Sequence, residues 1–232
     1  MIVQIYTMQT VEEALQAAAV GVDYLGVTPS DRGLPGEIDF ETAREIVDAL
    51  EGKAKRVALS VESDIEDIAD MVRAVRPDVL HLCGDIDLVT PGQVGKLRDI
   101  LKGAFPALEI LQAIPMTGPE ALDHAAAFEA VSDMFILDSV APHIGGIGAA
   151  GVTHDWSISR EIVARSKRPV ILAGGLNPEN VAPAIAAVQP WGVDSLTHTN
   201  KPLPGGGFRK DIARIAAFVE AARAAAMETG AA

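Results

Sequence analysis

Several short apolar runs of this sequence end in side chains that can give or take a proton. Asp138 closes the run MFILD, and Tyr6 directly follows IVQI. His81 and Cys83 lie two residues apart in DVLHLC, so they face the same side of a strand. A carboxylic acid, a phenol, an imidazole and a thiol are groups that enzymes use in acid–base and nucleophilic catalysis. These four residues are therefore candidates for catalysis or substrate contact.

A second group of residues is suited to binding an anion. Gly174 and Gly175 follow the run VILA, and Asn177 with the next proline begins a helical pattern. Glycines let a backbone approach a ligand, and a helix N-terminus presents free amides and the positive end of its dipole. We predict a phosphate site here, with Thr197 and His198 as its other side. The alternative is that the glycine pair only makes a tight turn.

The elements that position these residues alternate strictly. Eight short aliphatic runs alternate with eight amphipathic segments, which predicts parallel strands joined by helices. The strands are predicted at 2–6, 23–28, 56–61, 78–83, 108–114, 134–138, 169–174 and 192–197. Eight units predict an α/β fold, a single closed (β/α)₈ TIM barrel of the phosphate-binding type; an open doubly wound sheet is the alternative. In a barrel, the strand ends and following loops form the active face, where all the candidates would meet.

Composition narrows the function further. The chain has 232 residues and a net charge of −13, so nucleic acid and anionic membranes are not expected partners. We expect one barrel domain over residues 1–222 and a loose Ala-rich tail at 223–232. One cysteine and no apparent signal or membrane segment favour the cytoplasm. The chain could be a monomer or a homodimer.

The order of the motifs resembles phosphoribosylanthranilate isomerase, a phosphate-binding barrel family. The similarity includes AGGLNPENVAPAI, then GVDSLT, then PGGG-x-x-KD at 204–211. Upstream, QIYTMQTVEEAL, RVALSVES and DVLHLCGD are similar to the first, third and fourth strand regions of that family. ILDSVAPHIGGIGAAGVTHDW is similar to the region of the sixth strand. The resemblance covers nearly the whole chain and implies an isomerase of tryptophan biosynthesis.

The resemblance also implies a mechanism. Asp138 would protonate the ring oxygen of a ribosylamine phosphate, and a strand-one thiolate would remove a proton from the adjacent carbon in an Amadori rearrangement. Tyr6 occupies the position of that thiol, and a phenol with a pKa near 10 is mostly protonated at neutral pH. Tyr6 is either a base with a depressed pKa or a wall of the pocket. We therefore expect weak or no rescue of a tryptophan auxotroph.

Four other residues lie at positions where the resemblance implies a role in the site. Arg32 can correspond to an arginine that grips the substrate. His81 and Cys83 replace a glutamine and a histidine of strand four, and His198 replaces a phosphate-facing glycine. Cys83 could substitute for the missing thiol or be a small buried hydrophobe. No close-spaced set of ligands indicates a metal, so no metal or other cofactor is expected.

Three hypotheses remain open for the function. The first is an isomerase acting on a phosphorylated sugar or ribosylamine. The second is a phosphosugar lyase, aldolase or epimerase that uses the same barrel. The third is a non-catalytic protein that binds a phosphometabolite. All three predict a small phosphorylated metabolite as the partner.

Overall fold

A computed structural model describes residues 1–140 and 147–230 of the chain. Eight parallel strands close into a barrel in the order β1 to β8, which confirms the predicted (β/α)₈ architecture. The closure is made by β1, whose Ile5 pairs with Leu25 of β2 and Ser195 of β8. The strands β1 to β8 span Ile2–Ile5, Tyr24–Val27, Lys55–Ser60, Val79–Leu82, Glu109–Pro115, Met134–Asp138, Val170–Leu172 and Gly192–Ser195.

Eight helices surround the barrel, each following a strand. Several of them begin at a side chain that caps the first turn; for example, the Asp64 side chain accepts a hydrogen bond from the Glu66 amide at the start of α3. No helix in the described part of the chain combines the length and apolar character needed to cross a membrane. The helices α1 to α8 span Val11–Ala19, Phe40–Ala49, Ile65–Val75, Pro91–Leu101, Ala121–Phe128, Trp156–Arg165, Val181–Val188 and Ile212–Thr229.

The core has two layers because successive side chains of a strand point to opposite faces. Aliphatic residues between strands and helices form the larger cluster. A smaller cluster fills the barrel interior with residues such as Val57, Val79, Leu111 and Ile136. Polar side chains replace aliphatic ones toward the carboxyl ends of the strands, so the interior becomes a site only at that end.

The end of the chain differs from the sequence prediction in two ways. Residues 223–229, expected to be a loose tail, continue α8, and Ala225 and Ala226 are buried because small side chains let the helix pack closely. Before that helix, β9 (Asn200–Pro202) and β10 (Phe208–Lys210) form a hairpin that was not predicted. The PGGG segment is the exposed tip of this hairpin.

Gly26 lies in the barrel interior and leaves room for the ring of Tyr6. A Cβ atom added at Gly26 would lie 2.1 Å from Cε1 of Tyr6. We expect Gly26→Ala to lower the free energy of unfolding by about 1–3 kcal/mol, because overpacking a dense core forces strain.

Denaturant unfolding of Gly26→Ala and Gly103→Ala measures this effect. Gly103 is the matched control, since no atom lies within 4 Å of a Cβ added there. The control should change stability by no more than about 0.5 kcal/mol. Equal destabilisation by the two substitutions would contradict the tight contact between Gly26 and Tyr6.

Candidate active site

Two adjoining cavities lie at the carboxyl ends of the strands, and Asp138 and Asp194 line both. The first, here called the apolar cavity, has walls that include Leu34, Leu59, Ile136 and Ile147. The second, here called the anion cavity, is lined mainly by the loops that follow β6, β7 and β8. Two carboxyl groups therefore stand between an apolar compartment and a polar one.

Asp138 ends β6 and points to the barrel interior, as Ile136 does. Its Oδ1 accepts a hydrogen bond from the Ser139 amide at 2.7 Å. A Cβ atom added at Gly148 would lie 2.6 Å from Oδ2, so the loop after β6 closes directly on the carboxyl. The side chain keeps some solvent contact through the cavity, yet its enclosure by protein raises its pKa to about 7, and the Ser139 bond only partly opposes this.

Asp194, in β8, is a site residue that sequence reasoning missed. Its Oδ1 accepts a hydrogen bond from Nε2 of Gln4 at 3.1 Å. Burial, and after it the charge of Asp138, raise the pKa of Asp194 to about 8, while Gln4 and the Lys210 ammonium oppose the shift. Alternation along GVDSLT was the available signal, because it points Asp194 into the barrel, where carboxylates are rarely buried without a partner or function.

The two carboxyls titrate as a pair. Two like charges in one enclosed site suppress double ionisation, so the two protons leave in steps that belong to the pair. With pKa values of about 7 and about 8, Asp138 and Asp194 together keep at least one proton at neutral pH. Such a pair can give a proton from one carboxyl and take a proton with the other.

Tyr6, His81 and Cys83 form a buried hydrogen-bonded chain on the wall of the apolar cavity. Tyr6 Oη lies 3.0 Å from His81 Nδ1, and Cys83 Sγ lies 2.9 Å from His81 Nε2. Burial lowers the pKa of His81 to about 3 and raises the pKa values of the Tyr6 phenol and Cys83 thiol well above ordinary. A neutral imidazole has one donor and one acceptor nitrogen, so the chain is satisfied without charge.

The glycine pair meets the loop after β6 at close range. Gly174 and Gly175 have φ angles of 83° and 62°, which L side chains rarely adopt. A Cβ atom at Gly174 would lie 2.6 Å from Ser139 Oγ, and one at Gly175 would lie 2.7 Å from the carbonyl carbon of Val152. Both positions therefore require glycine.

Backbone amides converge on the anion cavity. Thr197 and His198 lie in a 3₁₀ turn, Thr197–Thr199, which follows β8. Within residues 1–140 and 147–230, the amides of Gly174, Gly175, Thr197 and His198 have no hydrogen-bond acceptor. Free amides at the ends of two adjacent strands suit an oxyanion such as phosphate.

Asn177 lies beside the anion cavity but does not line it. Its Oδ1 accepts hydrogen bonds from the amides of Glu179 and Asn180, both at 2.9 Å. Nδ2 of Asn180 in turn donates to the carbonyl oxygen of Gly175 at 3.0 Å. Asn177 thus shapes the turn that holds the glycine pair, and α7 begins later than predicted, at Val181.

Hydrogen bonds hold the loop after β6 beside the anion cavity, which part of this loop lines. His198 Nε2 lies 3.1 Å from the carbonyl oxygen of Gly151, to which it can donate. The Ser139 hydroxyl donates to the Val152 carbonyl at 2.7 Å, and Nδ1 of His154 lies 3.1 Å from the same hydroxyl. Residues 141–146 of this loop, which carry part of the sixth-strand motif, lie outside the described residues.

Arg32 lies outside both cavities. Its guanidinium pairs with Glu62 through Nη2 and Oε2, and through Nε and Oε1 at 2.6 Å. It lines a neighbouring surface pocket, which shares Leu34, Leu59 and Val61 with the apolar cavity. No three His, Cys, Asp or Glu side chains of the described residues converge as metal ligands.

Comparisons with known proteins agree with this geometry. The sequence model of N-(5'-phosphoribosyl)anthranilate (PRA) isomerase matches residues 3–221. N-(5'-phosphoribosyl)anthranilate isomerase 2 from Methanosarcina mazei is 34% identical over 222 residues, covering 95% of this chain and 93% of that protein. The enzyme from Methanocella arvoryzae is 31% identical, covering 95% of this chain and 97% of that protein.

Solved structures give the same result. The crystal structure of phosphoribosyl anthranilate isomerase from Thermotoga maritima has a TM-score of 0.77 and 28% identity, covering 97% of this chain and 100% of that chain. A phosphoribosyl anthranilate isomerase in complex with reduced 1-(o-carboxyphenylamino)-1-deoxyribulose 5-phosphate has a TM-score of 0.74 and 26% identity, with the same coverage. The chain therefore belongs to the N-(5'-phosphoribosyl)anthranilate isomerase family and is an isomerase.

Proposed function

We propose that this isomerase acts on N-(5'-phosphoribosyl)anthranilate and forms the corresponding 1-(o-carboxyphenylamino)-1-deoxyribulose 5-phosphate by an Amadori rearrangement. The observation that carries the proposal is the position of Asp138, a protonatable carboxyl between an apolar cavity and a cluster of free amides. A substrate with an aromatic ring at one end and a phosphate at the other matches this order of compartments.

The substrate spans both cavities. Its phosphate is bound by the amides of Gly174, Gly175, Thr197 and His198, which are local donors in a protein of net charge −13. Its aromatic ring lies in the apolar cavity, and the ribose then faces the carboxyl pair. A relative has been solved in complex with a phosphorylated ligand that carries a carboxyphenyl group, which supports a substrate of this shape.

The first chemical step is acid catalysis by Asp138. Its proton moves to the ring oxygen of the ribose, the bond between that oxygen and C1 breaks, and the nitrogen lone pair forms a C=N bond to C1. A carboxyl with an ordinary pKa would be ionised at neutral pH, so the raised pKa is what keeps this acid available.

Tyr6, His81 and Cys83 act as the polar wall of the apolar cavity. The Tyr6 phenol and the Cys83 thiol are both protonated at neutral pH and both are engaged with His81. Neither is a ready base, so we assign both a role in shaping the cavity rather than in catalysis. Arg32 reaches a substrate carboxylate only by leaving Glu62.

The other two hypotheses have less support. The relatives named above are isomerases, and none is named as a lyase, an epimerase or a non-catalytic binding protein. The expectation of weak activity rested on the missing thiol alone, and these comparisons give it no support. The partner is a small phosphorylated metabolite, and the chain is a monomer or a homodimer in the cytoplasm.

The anion cavity can be tested without a substrate. We expect phosphate to raise the melting temperature of the wild type, since a ligand at about 100 times its Kd adds about 2.7 kcal/mol of stability. Gly175→Ala should weaken or abolish the rise, because a Cβ atom there displaces the loop at Val152. Gly103→Ala should keep it. The melting temperatures are compared in phosphate and in chloride at equal ionic strength. If phosphate raises them equally in Gly175→Ala and Gly103→Ala, the phosphate site is not where we place it.

Growth of a tryptophan auxotroph that lacks this isomerase tests the reaction itself. We expect wild type to restore growth and Asp138→Asn to fail, with kcat lowered by about 10²- to 10⁴-fold in vitro because the proton donor is lost. Asp64→Asn, at the exposed N-terminus of α3, is the control and should restore growth. Failure of well-expressed wild type would reject the proposed substrate.

The pH dependence of kcat/KM reports the protonation of the carboxyl pair. Asp138 must be protonated to act as an acid, so activity is present below its raised pKa of about 7 and falls as pH increases through that value. We expect an alkaline limb that begins near neutral pH in initial-rate measurements. A profile that stays flat to pH 9 or above would contradict acid catalysis by Asp138.

A further inference from the structure

The proposed reaction needs a base that removes the proton from C2. Tyr6 occupies the position where the family resemblance implies a strand-one thiol for this step. We propose that Asp194 is this base, so that the Asp138–Asp194 pair supplies both the acid and the base of the reaction. This inference rests on the proposed function and adds a second catalytic residue to it.

The position of Asp194 meets the requirement for such a base. It lines the apolar cavity and the anion cavity, as Asp138 does, so both carboxyls face the place where the ribose crosses between them. Strands β1 and β8 are neighbours, and Asp194 pairs with Gln4 in register. Asp194 therefore lies next to the strand on which the family resemblance places the thiol, on the same side of the barrel mouth.

Two neighbours favour the ionised form of Asp194. Gln4 Nε2 donates a hydrogen bond to its Oδ1. The Lys210 ammonium attracts it, while burial lowers the pKa of this lysine to about 7; its Nζ is fixed by hydrogen bonds to the Tyr6 carbonyl and, at 2.6 Å, to Asn200 Oδ1. Within the described residues, Asp138 has only the Ser139 amide as a comparable partner. The pKa of Asp194, about 8, still lies above that of Asp138, about 7, so the proton must pass to Asp138 when the substrate binds, and the contacts of Asp194 stabilise the charge that this leaves on it.

The proton balance closes within the pair. After Asp138 has protonated the ring oxygen, C1 is part of a cationic C=N bond next to C2. The Asp194 carboxylate takes the hydrogen from C2, the C–H electrons form a C1=C2 bond, and the C=N electrons return to nitrogen. The resulting enol becomes the ketone when its hydroxyl loses a proton and C1 gains one. No oxidant, metal or further reactant is needed.

The other titratable groups that face Asp194 are less suited to this step. Tyr6 and Cys83 are protonated and bonded to His81, as described above. Lys210 Nζ is directed to the Tyr6 carbonyl and to Asn200, away from a ligand in the cavities. Lys210 does not line either cavity.

Asp194→Asn, compared with wild type and Asp64→Asn, tests the assignment with N-(5'-phosphoribosyl)anthranilate as substrate. We expect kcat to fall by about 10²-fold or more with KM changed by less than about threefold, because the base acts in the transition state. The proposal is overturned if Asp194→Asn keeps more than about a tenth of the wild-type kcat, or if the substitution increases KM and leaves kcat unchanged.

A second measurement separates this inference from the choice of substrate. Both carboxyls have pKa values in the folded state above their unfolded values, so the folded state binds more protons between about pH 4 and 8 and its stability falls as pH increases through this window. We expect Asp194→Asn to flatten this fall in denaturant unfolding, whereas Asp64→Asn should not.

The two measurements fail in different ways. If the wild type shows no turnover but the pH dependence of stability is flattened in Asp194→Asn, the proposed substrate is wrong and the carboxyl pair is supported. An unchanged pH dependence in Asp194→Asn overturns the pair itself, whatever the activity.

Discussion

Two carboxyl groups enclosed side by side are the constraint on which the rest of this active site depends. Water solvates separated carboxylates well, but a barrel mouth closed by a loop does not, so one of the two must keep its proton near neutral pH. Gln4 and Lys210 stabilise one of these carboxyls, and Gly148 lets the loop after β6 close on the other. Enclosing the two carboxyls destabilises the fold, and the same enclosure keeps a proton on the pair for acid catalysis.

The anion cavity must bind a phosphate within a negatively charged protein. The protein carries a net charge of −13, which repels a phosphorylated substrate, and among the residues that the structure describes no Lys or Arg lines the anion cavity. Neutral amides at the ends of β7 and β8 can hold a phosphate without adding a cation beside Asp138 and Asp194. A lysine there would favour ionisation of both carboxyls and would remove the proton that the reaction needs.

Alternation and strand-end chemistry were enough to predict the barrel, the position of Asp138 and the glycine pair. These features depend on local pattern, since each follows directly from one apolar run. Asp194 was missed because its importance arises from Asp138 and Gln4, which are far away in sequence. Asn177 was predicted to contact the ligand, but its side chain is used to hold its own turn. The hairpin before α8 was missed because strands of three residues leave little pattern.

The contact between Tyr6 and Gly26 limits how this site can change. The Tyr6 ring fills the space above Gly26 and its hydroxyl satisfies Nδ1 of His81. Tyr6→Cys would leave a void in the barrel and an unpaired imidazole nitrogen on His81. A thiol at position 6 would therefore lower the stability of the barrel, whereas the proposed carboxyl pair needs no such change.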